Sequence, residues 1–202
     1  MFLTPITLFI VGGTVLISAA GILYAPQVVS HLMLIPYRAI RQKTWYEVIT
    51  SGFVHADFSH LLFNMITLLF FGPVMEQSIG AGHFIALYLS GLVASSLPSL
   101  IRHKNNPQYA TLGASGAVES VLFGFILLFP MDRIYLFLIP IGIPAFIFGF
   151  LFLAYSIYAS KREGSKINHE AHIAGSLWGI VYLVLFVPNT IDHIITLLGL
   201  YN

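Results

Sequence analysis

Three groups of polar residues in an otherwise apolar sequence have the types and spacing for acyl-transfer chemistry. Ser115, in GASGAVE, stands between Gly113 and Gly116, with Glu119 four residues on. His55, His60 and Asn64 fall in HADFSHLLFN, and His169, Glu170 and His172 in NHEAHIAG. A serine hydroxyl becomes a nucleophile when a neutral imidazole takes its proton and later returns it to the leaving amine. Ser115 and His172 suit those two roles. Gly113 and Gly116 leave room for a substrate backbone, and a helix starting at the serine would offer free N–H groups to a developing oxyanion. His60 and Asn64 are i and i+4, so one helix face can present both to the same oxyanion.

The usual third member, an acid behind the histidine, has no good candidate. Glu76 and Asp132 belong to the opposite ends of their segments, Asp57 precedes its segment, and Glu170 is only two residues from His172. A Ser-His dyad is therefore expected rather than a triad. No metal is expected: NHEAH brings the second histidine one residue too early for H-E-x-x-H, and the chain has no cysteine. Singly, each residue also reads as ordinary, a serine bonded to its own helix or a packed polar histidine. Their combination favours chemistry.

The segments that must position them belong to a bilayer. Of 202 residues, 57% are hydrophobic and 8% charged, and the mean hydropathy is +0.87, whereas a soluble domain is about 25% charged. Nine basic residues against eight acidic ones leave +1, and the scattered basic residues make no footprint for nucleic acid. About 20 apolar residues cross roughly 30 Å of hydrocarbon. Six stretches qualify or nearly do: about 4 to 24, 58 to 77, 83 to 101, 114 to 129, 134 to 158 and 171 to 187. The first lacks Lys and Arg before its apolar run and reads as a span rather than a cleaved signal peptide. The expected fold is an all-α membrane protein, six transmembrane helices in a single domain over 1–202. The connection from 25 to 57 carries Arg38, Arg41, Lys43, Trp45 and Tyr46 and should rest partly in the interface. Pro140 and Pro144 favour a bend in the fifth stretch. The apolar tail from Asn189 is too short to cross and should lie at the interface.

All three polar groups open even-numbered stretches, so they share one side of the membrane. The fourth stretch, from Ala114 to the Pro130 stop, is about 24 Å long at 1.5 Å per residue, which recesses Ser115. Non-helical backbone at that depth, as from Thr111 to Ala114, requires protein or a water-filled cavity beside it. Gly116, Ser120 and Gly124 on the fourth stretch, and Ala171, Gly175 and Gly179 on the sixth, repeat every four residues. Small residues so spaced let helix backbones meet and would bring His172 towards Ser115.

With these residues in view, the chain resembles the rhomboid family of intramembrane serine proteases over nearly all six stretches. Gly113 to Gly116 are similar to the G-x-S-G string that opens the family's fourth helix, with Ser115 as nucleophile. His172 in AHIAGSLWG resembles the general base, with Gly175 and Gly179 as close-packing glycines. HLLFN resembles the H-x-x-x-N string, which puts His60 and Asn64 in the oxyanion-stabilising positions, and Glu76 to Gly80 resemble a structural E-x-x-x-G string. Two positions depart from the pattern. Trp45 is followed by Tyr46 and Glu47 where the family often has Trp-Arg, and Glu119 replaces a common Tyr against which the histidine packs. Glu119 has two readings, ionised and bonded to His172 in place of the missing acid, or protonated and filling space.

The resemblance implies hydrolysis of peptide bonds in or next to transmembrane segments of other membrane proteins, without a cofactor, in the inner membrane of a bacterial cell. Substrate helices must unwind to expose a carbonyl, and either the fifth helix or the loop before His172 can admit them. The alternative is a catalytically inactive rhomboid-like protein that binds membrane clients. Glu119 favours it and the intact Ser115, His172 and His60 oppose it. A transporter is disfavoured by the lack of paired repeats with broken helices. On orientation two arguments conflict. Arg38, Arg41, Lys43, Arg102, Lys104, Lys161, Arg162 and Lys166 lie on the side of the polar groups and only Arg133 on the other, which by charge puts that side in the cytoplasm. The resemblance implies the reverse, with the site facing outward, and that is the reading taken.

Overall fold

Proline sets the start of the first three helices, where its missing N–H costs nothing and its fixed φ suits the first turn. A computed structural model describes residues 4–135, 141–162 and 167–199. In it α1 is Pro5–Leu23, α2 Pro26–Leu32 and α3 Pro36–Arg41. There follow α4 (Glu47–Thr50), a 3₁₀ turn at Ser51–Phe53, α5 (Phe58–Arg102) and α6 (Ser115–Leu128). A two-stranded antiparallel hairpin, β1 (Arg133–Tyr135) and β2 (Gly142–Pro144), precedes α7 (Ala145–Ser160), α8 (His169–Phe186) and α9 (Thr190–Leu197).

The fold is predominantly helical and apolar, that of an integral membrane protein. Among the described residues α1 and α5 are long and apolar enough to cross a bilayer, and α8 with α9 makes a third candidate if the pair, bent by 107°, is one span. The 45 residues of α5 divide into two arms at Gly80, whose φ of 80° and ψ of 154° leave the helical region. Those arms coincide with the second and third expected stretches. A side chain at Gly80 would be strained by that φ.

The fifth stretch differs from expectation. Helix was expected from 134, but Ile134 pairs with Ile143 across the hairpin and α7 begins at Ala145. Proline lacks an N–H and pushes the residue before it to extended backbone, so Ile143-Pro144 closes a strand more readily than it continues a helix. Pro144 therefore caps α7 instead of bending it, while Pro140 lies outside the described residues.

α6 is the centre of the bundle. All its residues except Ser115 and Leu127 are buried, as expected for a helix that is apolar all round, and it packs mainly against α5 and α8. Two buried carboxylates tie the periphery to this core. Glu76 on α5 accepts from the Ile6 N–H (3.1 Å), the Thr7 N–H (2.8 Å) and the Thr4 and Thr7 hydroxyls, and so caps the start of α1 from across the bundle. Glu47, fully buried, accepts from the Ile35 N–H (2.9 Å), Arg38 Nε (2.6 Å) and the Thr44 hydroxyl. Arg38 also donates to the Ser30 and Met33 carbonyls, so one ion pair organises the long connection between α1 and α5. α9 turns away from α8, and His193 Nε2 lies 2.8 Å from the Leu128 carbonyl at the end of α6.

Candidate active site

Ser115 is the first residue of α6 because the chain before it is held by bonds to elements other than a helix. Thr111 and Leu34 exchange both backbone hydrogen bonds at 2.9 Å, the Gly113 N–H donates to Ser51 O at 2.9 Å, and the Ala114 N–H donates to His55 Nε2 at 3.3 Å. The backbone of the non-helical approach is thus paired with protein groups. Gly113 has a φ of 111°, and a Cβ there would stand 2.4 Å from His60 Cε1. The glycine is required on both counts, since an L side chain would be strained by that φ and would collide with the imidazole.

α6 and α8 meet backbone to backbone. A Cβ on Gly175 would stand 2.1 Å from Gly116 O, and one on Gly179 would stand 2.2 Å from Ser120 O. Ser120 Oγ reinforces the seam, 2.9 Å from Gly175 O and 3.0 Å from Gly116 O. Ser115 precedes Gly116 by one residue, and His172 precedes Gly175 by three, so both lie in the first turns of helices locked together at that contact. Each is half-buried. Among the described residues no hydrogen bond joins Ser115 to His172, and catalytic hydrogen bonds in unliganded enzymes are often long until substrate tightens them.

His172 stacks on Phe152 of α7, ring centroids 6.1 Å apart and planes 20° from parallel, and meets His169 edge-on at 6.0 Å. Glu119 is buried with Oε2 unpartnered, and the described hydrogen bonds include none from it to His172. The aromatic support that Glu119 does not give comes from Phe152, a residue the sequence alone did not single out. Asn168 begins α8 by accepting the Ala171 N–H at 3.1 Å on Oδ1. Its Nδ2 lies 2.9 Å from Ser99 Oγ, 3.2 Å from Tyr109 OH and 3.2 Å from Thr111 Oγ1, which ties the start of the His172 helix to the approach to Ser115. The signal for Asn168 was present in the sequence, since Asn is a preferred N-cap. Arg102 at the end of α5 pairs with Glu170 in the same turn of α8.

His60 and Asn64 lie in the first two turns of α5, capped by Asp57, whose Oδ1 accepts from the His60 N–H at 2.8 Å. Hydrogen bonds from the Ser59 hydroxyl and the His60 N–H hold the Asp57 carboxyl below its ordinary range. The His60 ring lies against Gly113 and packs edge-on against His55 at 4.8 Å. Asn64 is buried and its Nδ2 donates to the His60 carbonyl at 2.9 Å. The structure therefore brings His60 to the residue two before Ser115, while Asn64 sits one turn further along the same face.

The arrangement defines a polar site at one end of a helical membrane bundle, built on the first turns of α5, α6 and α8. A Rhomboid domain family model matches residues 42–189, a range that contains all of it. The chain belongs to the rhomboid family. It is 34% identical over 142 residues to Rhomboid protein 1, mitochondrial, of Saccharomyces cerevisiae, covering 67% of this chain and 40% of that protein. It is 30% identical over 145 residues to the putative rhomboid protease YdcA of Bacillus subtilis, covering 72% of this chain and 69% of that protein. With the rhomboid protease GluP of the same organism it shares 28% identity over 140 residues, covering 69% of this chain and 26% of that protein. The chain thus spans about two fifths of the length of its mitochondrial relative and over two thirds of YdcA.

Proposed function

We propose that this protein is an intramembrane serine endopeptidase that cleaves peptide bonds in or next to transmembrane segments of membrane-protein substrates. The observation that carries this reading is the α6–α8 seam at Gly116 and Gly175, which sets Ser115 and His172 in adjacent first turns. In the proposed mechanism His172 deprotonates Ser115, whose oxygen attacks the substrate carbonyl. The Ser115 N–H, with His60 and Asn64, stabilises the oxyanion. His172 returns the proton to the leaving amine, and water then releases the acyl-enzyme by the same route. Gly113, Gly116, Gly175 and Glu119 shape the site without touching the reacting atoms.

The reading includes one domain over 1–202 with six crossings: α1, the two arms of α5, α6, α7 and α8. α6 has 14 residues, about 21 Å at 1.5 Å per residue, shorter than the hydrocarbon, which would recess Ser115 and require water to reach it. The inner membrane of a bacterial cell is part of the same proposal: two relatives named as rhomboid proteases are bacterial, whereas relatives of higher identity are mitochondrial, and cell fractionation tests that part. The second reading, an inactive protein that binds membrane clients, is favoured by the absence of a Ser115–His172 hydrogen bond among the described residues. A fluorophosphonate probe separates the two. The protease labels at Ser115 and the Ser115→Ala variant does not, whereas an unlabelled parent protein rejects the enzyme.

A further inference from the structure

His55 is fully buried, and the mechanism above does not use it. Its hydrogen bonds determine its tautomer. Ser18 Oγ on α1 lies 2.9 Å from the Phe53 carbonyl and 2.9 Å from His55 Nδ1. A hydroxyl has one proton and a carbonyl can only accept, so Ser18 donates to Phe53 O and Nδ1–H donates to Ser18 Oγ. Nε2 is left with its lone pair, and it is this atom that accepts the Ala114 N–H. Every polar atom of the ring is satisfied in the neutral form and in only one tautomer.

Ala114 is the N-cap of α6, and the bond to His55 takes its N–H out of the site. Among the described residues the Ser115 N–H has no partner, so it is the first backbone donor of α6 left for a ligand. We propose that His55 is a positioning residue for the oxyanion site. By holding the Ala114 N–H, it fixes the peptide turn that aims the Ser115 N–H at the acyl oxygen, and Ser18 and the edge-on His60 ring hold His55 in turn. The charged groups around it agree with this role. Burial and then His60 hold the His55 ring down at about 3, with Asp57 opposing, so the acceptor lone pair persists at neutral pH. An oxyanion donor acts only if it lies about 2.7 to 3.1 Å from the position the charged oxygen will take. A shift of the Ala114–Ser115 peptide therefore acts on turnover more than on binding.

The inference rests on the serine-protease reading, and its test separates the two. His55→Leu and His55→Gln are compared with the parent protein for cleavage of a transmembrane substrate, fluorophosphonate labelling, thermal unfolding and hydrogen exchange at the Ala114 amide. His55→Leu should lower kcat by about 10- to 100-fold, a part of the roughly 100- to 1000-fold worth of one oxyanion donor. KM should stay within about twofold, and Ala114 should lose protection. His55→Gln, whose carbonyl oxygen can accept the same N–H, should recover most of kcat and of the protection. Should His55→Leu not fold, Ser18→Ala, which releases Nδ1 and leaves the Phe53 carbonyl unpaired at about 1 to 3 kcal/mol for each buried group, carries the comparison and should lower kcat in protein that stays folded at the assay temperature. Full kcat in a folded His55→Leu, or in Ser18→Ala where that substitutes for it, overturns the positioning role. So does failure of His55→Gln to restore Ala114 protection. A parent protein that neither labels nor cleaves overturns the protease reading instead, and the Ala114 exchange still decides whether His55 holds that peptide.

Discussion

Gly175→Ala measures how closely α6 and α8 must approach for the proposed chemistry. A Cβ at 175 would lie 2.1 Å from Gly116 O, where ordinary contact begins at 3.4 Å, so the helices must part there by about 1.3 Å. The obstacle is backbone on both sides, and no side-chain rotamer relieves it. Overpacking of this kind costs about 1 to 3 kcal/mol, which leaves the bundle folded, while misplacing reacting groups by about 1 Å costs on the order of 100-fold in rate. Ser115 and His172 flank the contact on separate helices and move apart with it. The expected result is a loss of about 100-fold in kcat/KM, or about 2.7 kcal/mol, with a small drop in thermal midpoint. Gly82→Ala, where a Cβ meets nothing within 4 Å, is the control and should cleave within about twofold of the parent protein. Activity is measured with a fluorogenic transmembrane substrate in detergent and in proteoliposomes. Gly175→Ala cleaving like Gly82→Ala would refute the argument that this seam sets the distance between nucleophile and base.

Ser115→Ala should abolish cleavage without unfolding, whereas Asn64→Ala, with the other oxyanion donors intact, should keep measurable turnover at a cost of up to about 100- to 1000-fold. Equal and complete loss in both variants would make Asn64 structural. Glu76→Ala leaves the buried Thr7 N–H at the start of α1 unpaired, at about 1 to 3 kcal/mol, and frees the half-buried Ile6 N–H as well, so a marked fall in unfolding temperature is expected and an unchanged one contradicts the cap. Glu119→Gln should leave the acidic limb of the kcat/KM pH profile where it is, because Glu119 makes no hydrogen bond to His172 among the described residues. A shift of that limb to lower pH would restore the reading of Glu119 as an ionised partner of the base. Single cysteines at positions 104 and 133, tested with an impermeant reagent in intact cells, should label at 104 if the site faces outward, and labelling only at 133 reverses the orientation.

The local properties of this protein are legible in its sequence. Apolar length marks α1 and both arms of α5, apolar length with small residues at every fourth position marks α6 and α8, and the strings around Ser115, His172 and His60 mark the candidate site, because hydropathy and helical periodicity act over a few neighbouring residues. The tertiary structure decides which distant groups satisfy one another. Glu76 caps a helix some 70 residues earlier in the chain, Glu47 gathers the long connection, and His55 takes an N–H from Ala114, 59 residues away. Phe152, rather than residue 119, stacks on His172. The fifth stretch shows the same limit, since its apolar residues suit either a strand or a helix and the pairing of Ile134 with Ile143 across the hairpin settles it. A buried carboxylate or imidazole must find a partner wherever packing supplies one, and no local pattern specifies which residue that will be.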